Sequence, residues 1–175
     1  MSQSENSTAT GFANNPAAKP DNAPDNVVEV ITVDPDVSDT ASFMEKYGVS
    51  ASQSINSIIV SVKSNGKRTP YLVLVPATHT LDNKGMKQAL GGKASFMPMD
   101  DALALTQMER DSVGPIGLPD GLEVVGDSSL LNEESYIIGG GKLGIKYRIA
   151  HDELLKLIDI DARDIFNERT PQLRK

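Results

Sequence analysis

The chain has 175 residues, a length that suits one domain with a single hydrophobic core. Its 24 acidic and 17 basic side chains give a formal net charge of −7, which argues against broad binding of nucleic acid through phosphate neutralisation. The absence of cysteine excludes disulfides, thiolate nucleophiles and sulfur metal ligands. With only two histidines as well, we expect neither a metal nor any other cofactor.

The N-terminal region differs in composition from the rest. Residues 1–26 are rich in Ser, Asn, Ala, Pro and Asp and carry little apolar mass, so we predict a disordered leader there. The folded domain is predicted over residues 27–168, with a charged tail over residues 169–175. No basic segment followed by an apolar run and no stretch of roughly 20 apolar residues is present, which predicts a cytoplasmic protein without a membrane partner.

Local signals predict the elements in chain order. Residues 27–33 are a β-branched run typical of a strand, and Ser38 or Asp39 can cap a helix that ends at Gly48. Two strands over residues 55–62 and 71–75 flank an Asn-Gly turn, the strongest short hairpin signal. The remaining predicted elements are helices over 82–90, 99–108 and 152–158, strands over 94–96, 122–125, 135–138 and 143–149, and a short turn over 162–167.

Strands outnumber helices in this pattern, and hairpins stand where parallel crossovers would otherwise be. The sequence therefore predicts an α/β fold of mixed α+β type, with a curled, mostly antiparallel sheet flanked by helices. A doubly wound nucleotide-binding sheet is not expected.

Two glycine-rich loops are the clearest functional signal. Residues 113–118 read Val-Gly-Pro-Ile-Gly-Leu, and residues 139–144 read Gly-Gly-Gly-Lys-Leu-Gly between two predicted strands. Loops of this kind present backbone N–H and C=O groups past missing side chains, which suits the recognition of a small polar ligand. The alternative is that the glycines only permit the turns.

The order of elements and loops resembles the YbaK family, the prolyl-tRNA-synthetase-associated editing domains, from about Val27 to about Phe166. The segments that carry the resemblance are 57–60, 71–76 with Asp82 opening a helix, Leu90-Gly91-Gly92-Lys93, 113–118, Val125-Gly126-Asp127-Ser128-Ser129-Leu130, 136–144 and Asp152-Glu153-Leu154-Leu155-Lys156-Leu157. The resemblance implies a pocket for the aminoacyl-adenosine end of tRNA and an aminoacyl-tRNA deacylase that hydrolyses mischarged tRNA. The implied partners are the tRNA acceptor end and an aminoacyl-tRNA synthetase, with no DNA.

The resemblance also assigns site residues. It places Asn56 and Gly114 at catalytic positions. The substrate-binding positions are Val113, Pro115, Ile116, Gly117, Asp127, Gly139, Gly140, Gly141 and Lys142. Asp127 could orient a ribose hydroxyl, or it could shape its own turn.

Four departures from the family pattern affect the expected chemistry. Asn56 stands where family members usually carry a lysine, Asp111 where they have glycine, Gly114 where they have serine or threonine, and Leu143 where arginine is common. The loss of a charge-assisted donor at position 56 is worth a few kcal/mol, roughly 10²-fold or more in rate. From the resemblance as a whole, a stand-alone trans-editing deacylase is the leading hypothesis. The alternatives are a catalytically weakened binding module for aminoacyl-tRNA ends or a synthetase partner, and an interaction protein that keeps only the scaffold.

Basic residues form two groups in the sequence. Lys84, Lys87 and Lys93 flank one predicted helix, while Lys142, Lys146 and Arg148 follow the second glycine loop. We predict these two groups as the tRNA footprint, because contact with a single-stranded acceptor end requires few phosphates. Neither histidine is predicted to be catalytic.

Overall fold

A computed structural model describes residues 23–168, so residues 1–22 of the predicted leader and the tail 169–175 lie outside the described residues. The domain limits at 27 and 168 therefore stay predictions. The strands are β1 (Glu29–Thr32), β2 (Ile55–Ser64), β3 (Lys67–Pro76), β4 (His79–Leu81), β5 (Lys93–Phe96), β6 (Glu123–Gly126), β7 (Ser135–Gly139), β8 (Ile145–Ala150), β9 (Ile160–Asp161) and β10 (Phe166–Glu168). The helices are α1 (Thr40–Tyr47), α2 (Asn83–Leu90), α3 (Met99–Thr106) and α4 (His151–Lys156).

Capping residues set the ends of α1 as the sequence predicts. The carboxylate of Asp39 accepts a hydrogen bond from the Ser42 N–H at 3.0 Å, which satisfies one free donor of the first turn. Gly48 ends the helix with a φ of 69°, a left-handed conformation that glycine adopts without steric cost. The helix therefore begins at a fixed point, beside the residues that line the site described below.

The β2–β3 hairpin forms the centre of the structure. Asn65 and Gly66 both have positive φ, 54° and 78°, as the tight turn between twisted strands requires. The ten residues of each strand pair from Ile55 opposite Pro76 to Ser64 opposite Lys67. Both faces of this hairpin are covered by other parts of the protein. Consecutive residues at its centre point to opposite faces, and they are apolar on both.

Three sheets build the domain. The largest has the order β5-β2-β3-β6-β9, with antiparallel pairs on one side and the parallel pairs β3–β6 and β6–β9 on the other. A second sheet has the antiparallel order β1-β8-β7, and β4 pairs with β10. This mixed, mostly antiparallel architecture confirms the predicted fold class, although the sequence analysis missed β4, β9 and β10 and proposed only a turn over 162–167.

The site lies where the two larger sheets meet. Ser54, just before β2, forms a parallel bridge with Ile137 of β7. On the edge away from β3, β2 pairs with β5 only from Val60 to Lys63. The first half of that edge is therefore not covered by a strand. Helix α1 packs on the three-stranded sheet through Phe43, and its N-terminus points to this gap. Within residues 23–168, no helix is long and apolar enough to span a membrane.

Candidate functional site

A cavity of about 360 Å³ occupies the gap beside the first half of β2, and we call it the site cavity. Its volume lies within the usual range of small-molecule sites, about 300–1,000 Å³. Its lining residues come from six parts of the chain and are Asp39 and Thr40, residues 55–58, Met99, Asp111 and Val113, Gly139, and Lys146. Of the residues predicted from the sequence, the structure brings Asn56, Val113 and Gly139 to this cavity.

The edge of β2 presents polar groups to the cavity. The side-chain oxygen of Asn56 accepts a hydrogen bond from the Thr40 hydroxyl, which ties β2 to the first residue of α1. The Ile59 carbonyl accepts from the Met97 N–H, so in the alternating ladder the backbone groups of Ser57 point to the same free edge. Among the described residues, the buried Ser57 hydroxyl has no hydrogen-bond partner. This edge therefore offers backbone and side-chain polar groups to a ligand.

Asp39 contributes a carboxylate to the rim of the cavity. The hydrogen bond from the Ser42 N–H lowers the pKa of Asp39 from its ordinary value, and the charge of Lys146 lowers it further. The group is therefore ionised at neutral pH. It can attract a cation on a ligand.

Asp111 adds a second carboxylate from the loop before Val113. Its φ of 63° is left-handed, a conformation that glycine prefers and that aspartate tolerates better than most residues. This geometry explains how aspartate can stand where the resembling family has glycine. Its side chain is exposed and lines the site cavity. Within the described residues, Asp111 forms no ion pair with a basic side chain.

The two glycine-rich loops are in direct contact. A Cβ atom on Gly114 would lie 2.0 Å from the carbonyl oxygen of Gly139, and one on Gly139 would lie 2.4 Å from the carbonyl oxygen of Val113. Side chains are therefore excluded at both positions by close backbone approach. Gly114 is buried and its N–H points to the Met108 sulfur at 3.4 Å, so it supports the cavity wall instead of lining it.

The tip of the β7–β8 hairpin is held by its own hydrogen bonds. The Gly140 N–H donates to the Ile145 carbonyl at 3.0 Å, and the Gly141 N–H donates to the Ser112 carbonyl at 2.6 Å. These two donors, at positions that the family resemblance assigns to substrate binding, are thus engaged within the protein. Lys142 is exposed at the tip and does not line the cavity.

The other predicted positions have structural surroundings. Ile116 packs against the main core, Pro115 is buried beside it, and Gly117 forms an exposed turn with a φ of 85°. Asp127 is buried at the end of β6, where its carboxylate accepts hydrogen bonds from the Ser129 N–H and from the Asp164 N–H. None of these four lines the site cavity.

Lys146 is a cavity residue that sequence reasoning did not assign to the pocket. It was grouped with the cations of a tRNA footprint after the second glycine-rich loop, and its side chain is buried and lines the cavity. Arg148 of the same group is also turned to the protein, because it pairs with Glu29 at 2.9 Å. Lys84, Lys87 and Lys93 are exposed, and the tRNA footprint stays a prediction.

Other cavity residues also escaped prediction, among them Asp39, Thr40 and Met99. Asp39 was recognised only as a helix cap, and its position at the cavity depends on the packing of α1 against β8. The one available signal was a capped helix start preceding a strand with polar residues at its beginning, which is common in proteins. Neither His79 nor His151 lines the cavity, and residues 23–168 contain no cluster of three or more His, Asp or Glu that could hold a metal.

Comparisons with known proteins agree with this architecture. The hypothetical protein APE2540 has a similar crystal structure, with a TM-score of 0.69 and 21% identity over 79% of this chain and 91% of that one. A proposed trans-editing enzyme for prolyl tRNA synthetase matches with a TM-score of 0.65 and 21% identity over 75% of this chain and 83% of that one. The family described as the aminoacyl-tRNA editing domain matches residues 34–157, more than half of the sequence, and the chain therefore belongs to this family.

Proposed function

We propose that the chain is an aminoacyl-tRNA deacylase that hydrolyses the ester of a mischarged tRNA in trans. The observation that carries the proposal is the site cavity, which lies within the matched residues 34–157 and combines an amide, two carboxylates and an ammonium. The similar protein described as a trans-editing enzyme for prolyl tRNA synthetase supports the same class of activity.

The chemistry requires few catalytic groups. In the hydrolysis, a water oxygen adds to the ester carbonyl carbon, the bond to the ribose oxygen breaks, and that oxygen takes a proton from the water. Such an activated ester needs a positioned water and donors for the developing oxyanion. The amide of Asn56 and the backbone N–H of Ser57 are suitable donors at the edge of β2.

The carboxylates give the cavity a place for the substrate's amino group. Asp39 and Asp111 both line it, and with Lys146 the three side chains sum to a charge of −1. A site with this balance favours the α-ammonium of an aminoacyl group over a free carboxylate. We therefore propose that the aminoacyl end enters with its ammonium toward these two residues.

A nucleotide path leads away from the cavity. A second cavity of about 350 Å³ shares Ser57, Ile58, Met99 and Val113 with the first and continues to Phe96. Phe96 also lines a third cavity, of about 570 Å³, together with Arg68. An exposed aromatic ring followed by a cation is an arrangement that binds a single-stranded nucleic acid by base stacking and phosphate contact.

Phe96 is 66% exposed, so its replacement by alanine tests this path without disturbing the core. We expect Phe96→Ala to weaken tRNA binding by about 1–3 kcal/mol, the usual contribution of one stacked base. The measurement is the Kd for an acceptor-stem minihelix with a 3′ single strand. Val28→Ala, at another exposed apolar position, is the control and should leave the Kd unchanged. Equal affinity of the Phe96 variant and the wild type would remove the path from the proposal.

The activity itself is tested with a panel of Ala-, Cys- and Ser-charged tRNAs. We expect loss of the labelled amino acid above the buffer rate for at least one of them. Persistent charging of every tRNA would overturn the deacylase proposal. A gel shift with the same tRNAs then distinguishes a binding module, which retains complex formation, from a scaffold that does not bind tRNA.

The binding module is the second candidate because of Asn56. This neutral side chain stands where the resembling family carries a lysine, and its oxygen is already engaged by Thr40. A site that kept its shape but lacked a charge for the oxyanion would bind the aminoacyl end without turnover.

A further inference from the structure

Lys146 is an unusual residue in this structure. Its side chain is 5% exposed, although lysine is rarely buried without a partner. It lies on β8 between Ile31 of β1 and Gly139 of β7. Lys146 and Gly139 both line the site cavity, and the backbone of Ser112 and Val113 takes the place that a Gly139 side chain would need.

The ammonium has few partners within the protein. Its Nζ atom lies 4.9 Å from the centre of the Phe43 ring, a cation–π contact. Among the described residues, no carboxylate is within 4.0 Å and no hydrogen bond engages it. Asp111 and Asp39 act on it only over a longer distance. Its three N–H donors are therefore available to a ligand in the cavity.

The ordinary stability argument does not explain this arrangement. Burying a charge without a close partner costs free energy, and an apolar residue would fill the site at lower cost. Burial lowers the pKa of Lys146, and the carboxylates of Asp111 and Asp39 oppose that shift. These two carboxylates are the charged groups that face it from the loop before Val113 and from the N-cap of α1. The other residues packed on it, Phe43, Ile31 and Gly139, carry no charge.

We propose that Lys146 is the catalytic ammonium of this site and that it donates to the ester carbonyl oxygen as negative charge develops there. The inference rests on the proposed deacylase function. Lys146, on β8, supplies a positive charge to the same cavity in which the side chain of Asn56, on β2, is neutral. During the reaction the carbonyl oxygen takes the electron pair of the C=O double bond, the ammonium stabilises it and keeps its proton, and the bond to ribose breaks as the double bond re-forms.

The test replaces Lys146 by methionine, which keeps the length of the side chain and removes the charge. We expect Lys146→Met to reduce kcat by about 10²-fold or more, the usual loss for one oxyanion donor. Its Tm should equal or exceed that of the wild type, because a buried charge has been removed. The matched control is Lys156→Met, at a side chain 70% exposed on α4, which should retain full activity.

The pH profile separates catalysis from structure. The active form is the protonated one, so the wild-type rate should fall as the pH rises through the lowered pKa of Lys146, and this alkaline fall should be missing in Lys146→Met. A Lys146→Met variant with wild-type kcat would overturn the inference and leave the deacylase function intact. A wild type without turnover on any charged tRNA would overturn both.

Discussion

Gly114→Ala is expected to lower the free energy of unfolding by about 3 kcal/mol, at the upper end of the cost of overpacking a well-packed contact. The added Cβ would lie 2.0 Å from the Gly139 carbonyl oxygen and 2.8 Å from its carbonyl carbon, so backbone must move. For a chain of this size the loss corresponds to a fall in Tm of roughly 6–12 °C. Thermal unfolding followed by circular dichroism measures it.

Deacylation should be lost in the same variant even where it remains folded. The contact of Gly114 with Gly139 positions Val113 and Gly139 at the cavity, and a displacement of about 1 Å can cost 10²-fold in rate.

The matched control is Gly126→Ala in β6. A Cβ there would lie 3.0 Å from the Cδ1 atom of Ile158, the end of a side chain that can change rotamer. A much smaller loss of stability is therefore expected. If the two alanine variants unfolded at the same temperature, the close contact between the two glycine-rich loops would not be a fixed feature of the fold.

The elements that the sequence predicts well are those whose signals lie within a few residues. The Asn65-Gly66 turn specifies the central hairpin by its own backbone conformation, and the carboxylate of Asp39 specifies the start of α1. These signals depend on neighbouring residues alone, so they can be recognised in the sequence without knowledge of the tertiary contacts.

The missed strands depend on distant partners. Strand β4 has three residues and pairs with β10, so neither is stable by itself, and three residues are too few to show a period of hydrophobicity. The parallel pairing of β3 with β6 joins residues more than fifty positions apart, such as Leu72 and Val124. Nothing local distinguishes such a pairing from an antiparallel one.

The candidate site follows the same division. The sequence analysis found Val113 and Gly139 because loops rich in glycine have a visible composition. It placed Lys146 in the tRNA footprint, because this lysine follows the second glycine-rich loop together with two other basic residues. Only the packing of Phe43 on this side of β8 shows that the lysine is covered. The buried cation is therefore a tertiary feature, and the sequence carries no separate mark of it.

Asp127→Ala is expected to destabilise the fold by about 2–4 kcal/mol, as is usual when a buried hydrogen-bond network is broken. The carboxylate is buried and accepts from the Ser129 N–H at 3.1 Å, the Ser129 hydroxyl at 2.6 Å and the Asp164 N–H at 3.1 Å. It thereby joins the end of β6 to the turn that precedes β10. Urea unfolding measures the loss.

Asp127→Asn separates this structural role from ribose binding, the role suggested by the family resemblance. An amide keeps one acceptor oxygen, so Ser129 can stay bonded while the donor from Asp164 loses its partner, and a loss of about 1–2 kcal/mol is expected. Since Asp127 does not line the site cavity, KM for charged tRNA should stay at the wild-type value under conditions where the variant is folded. A raised KM with unchanged stability would instead assign Asp127 to the substrate. The position of a carboxylate at the end of a strand is compatible with either role, and its three internal donors favour the structural one.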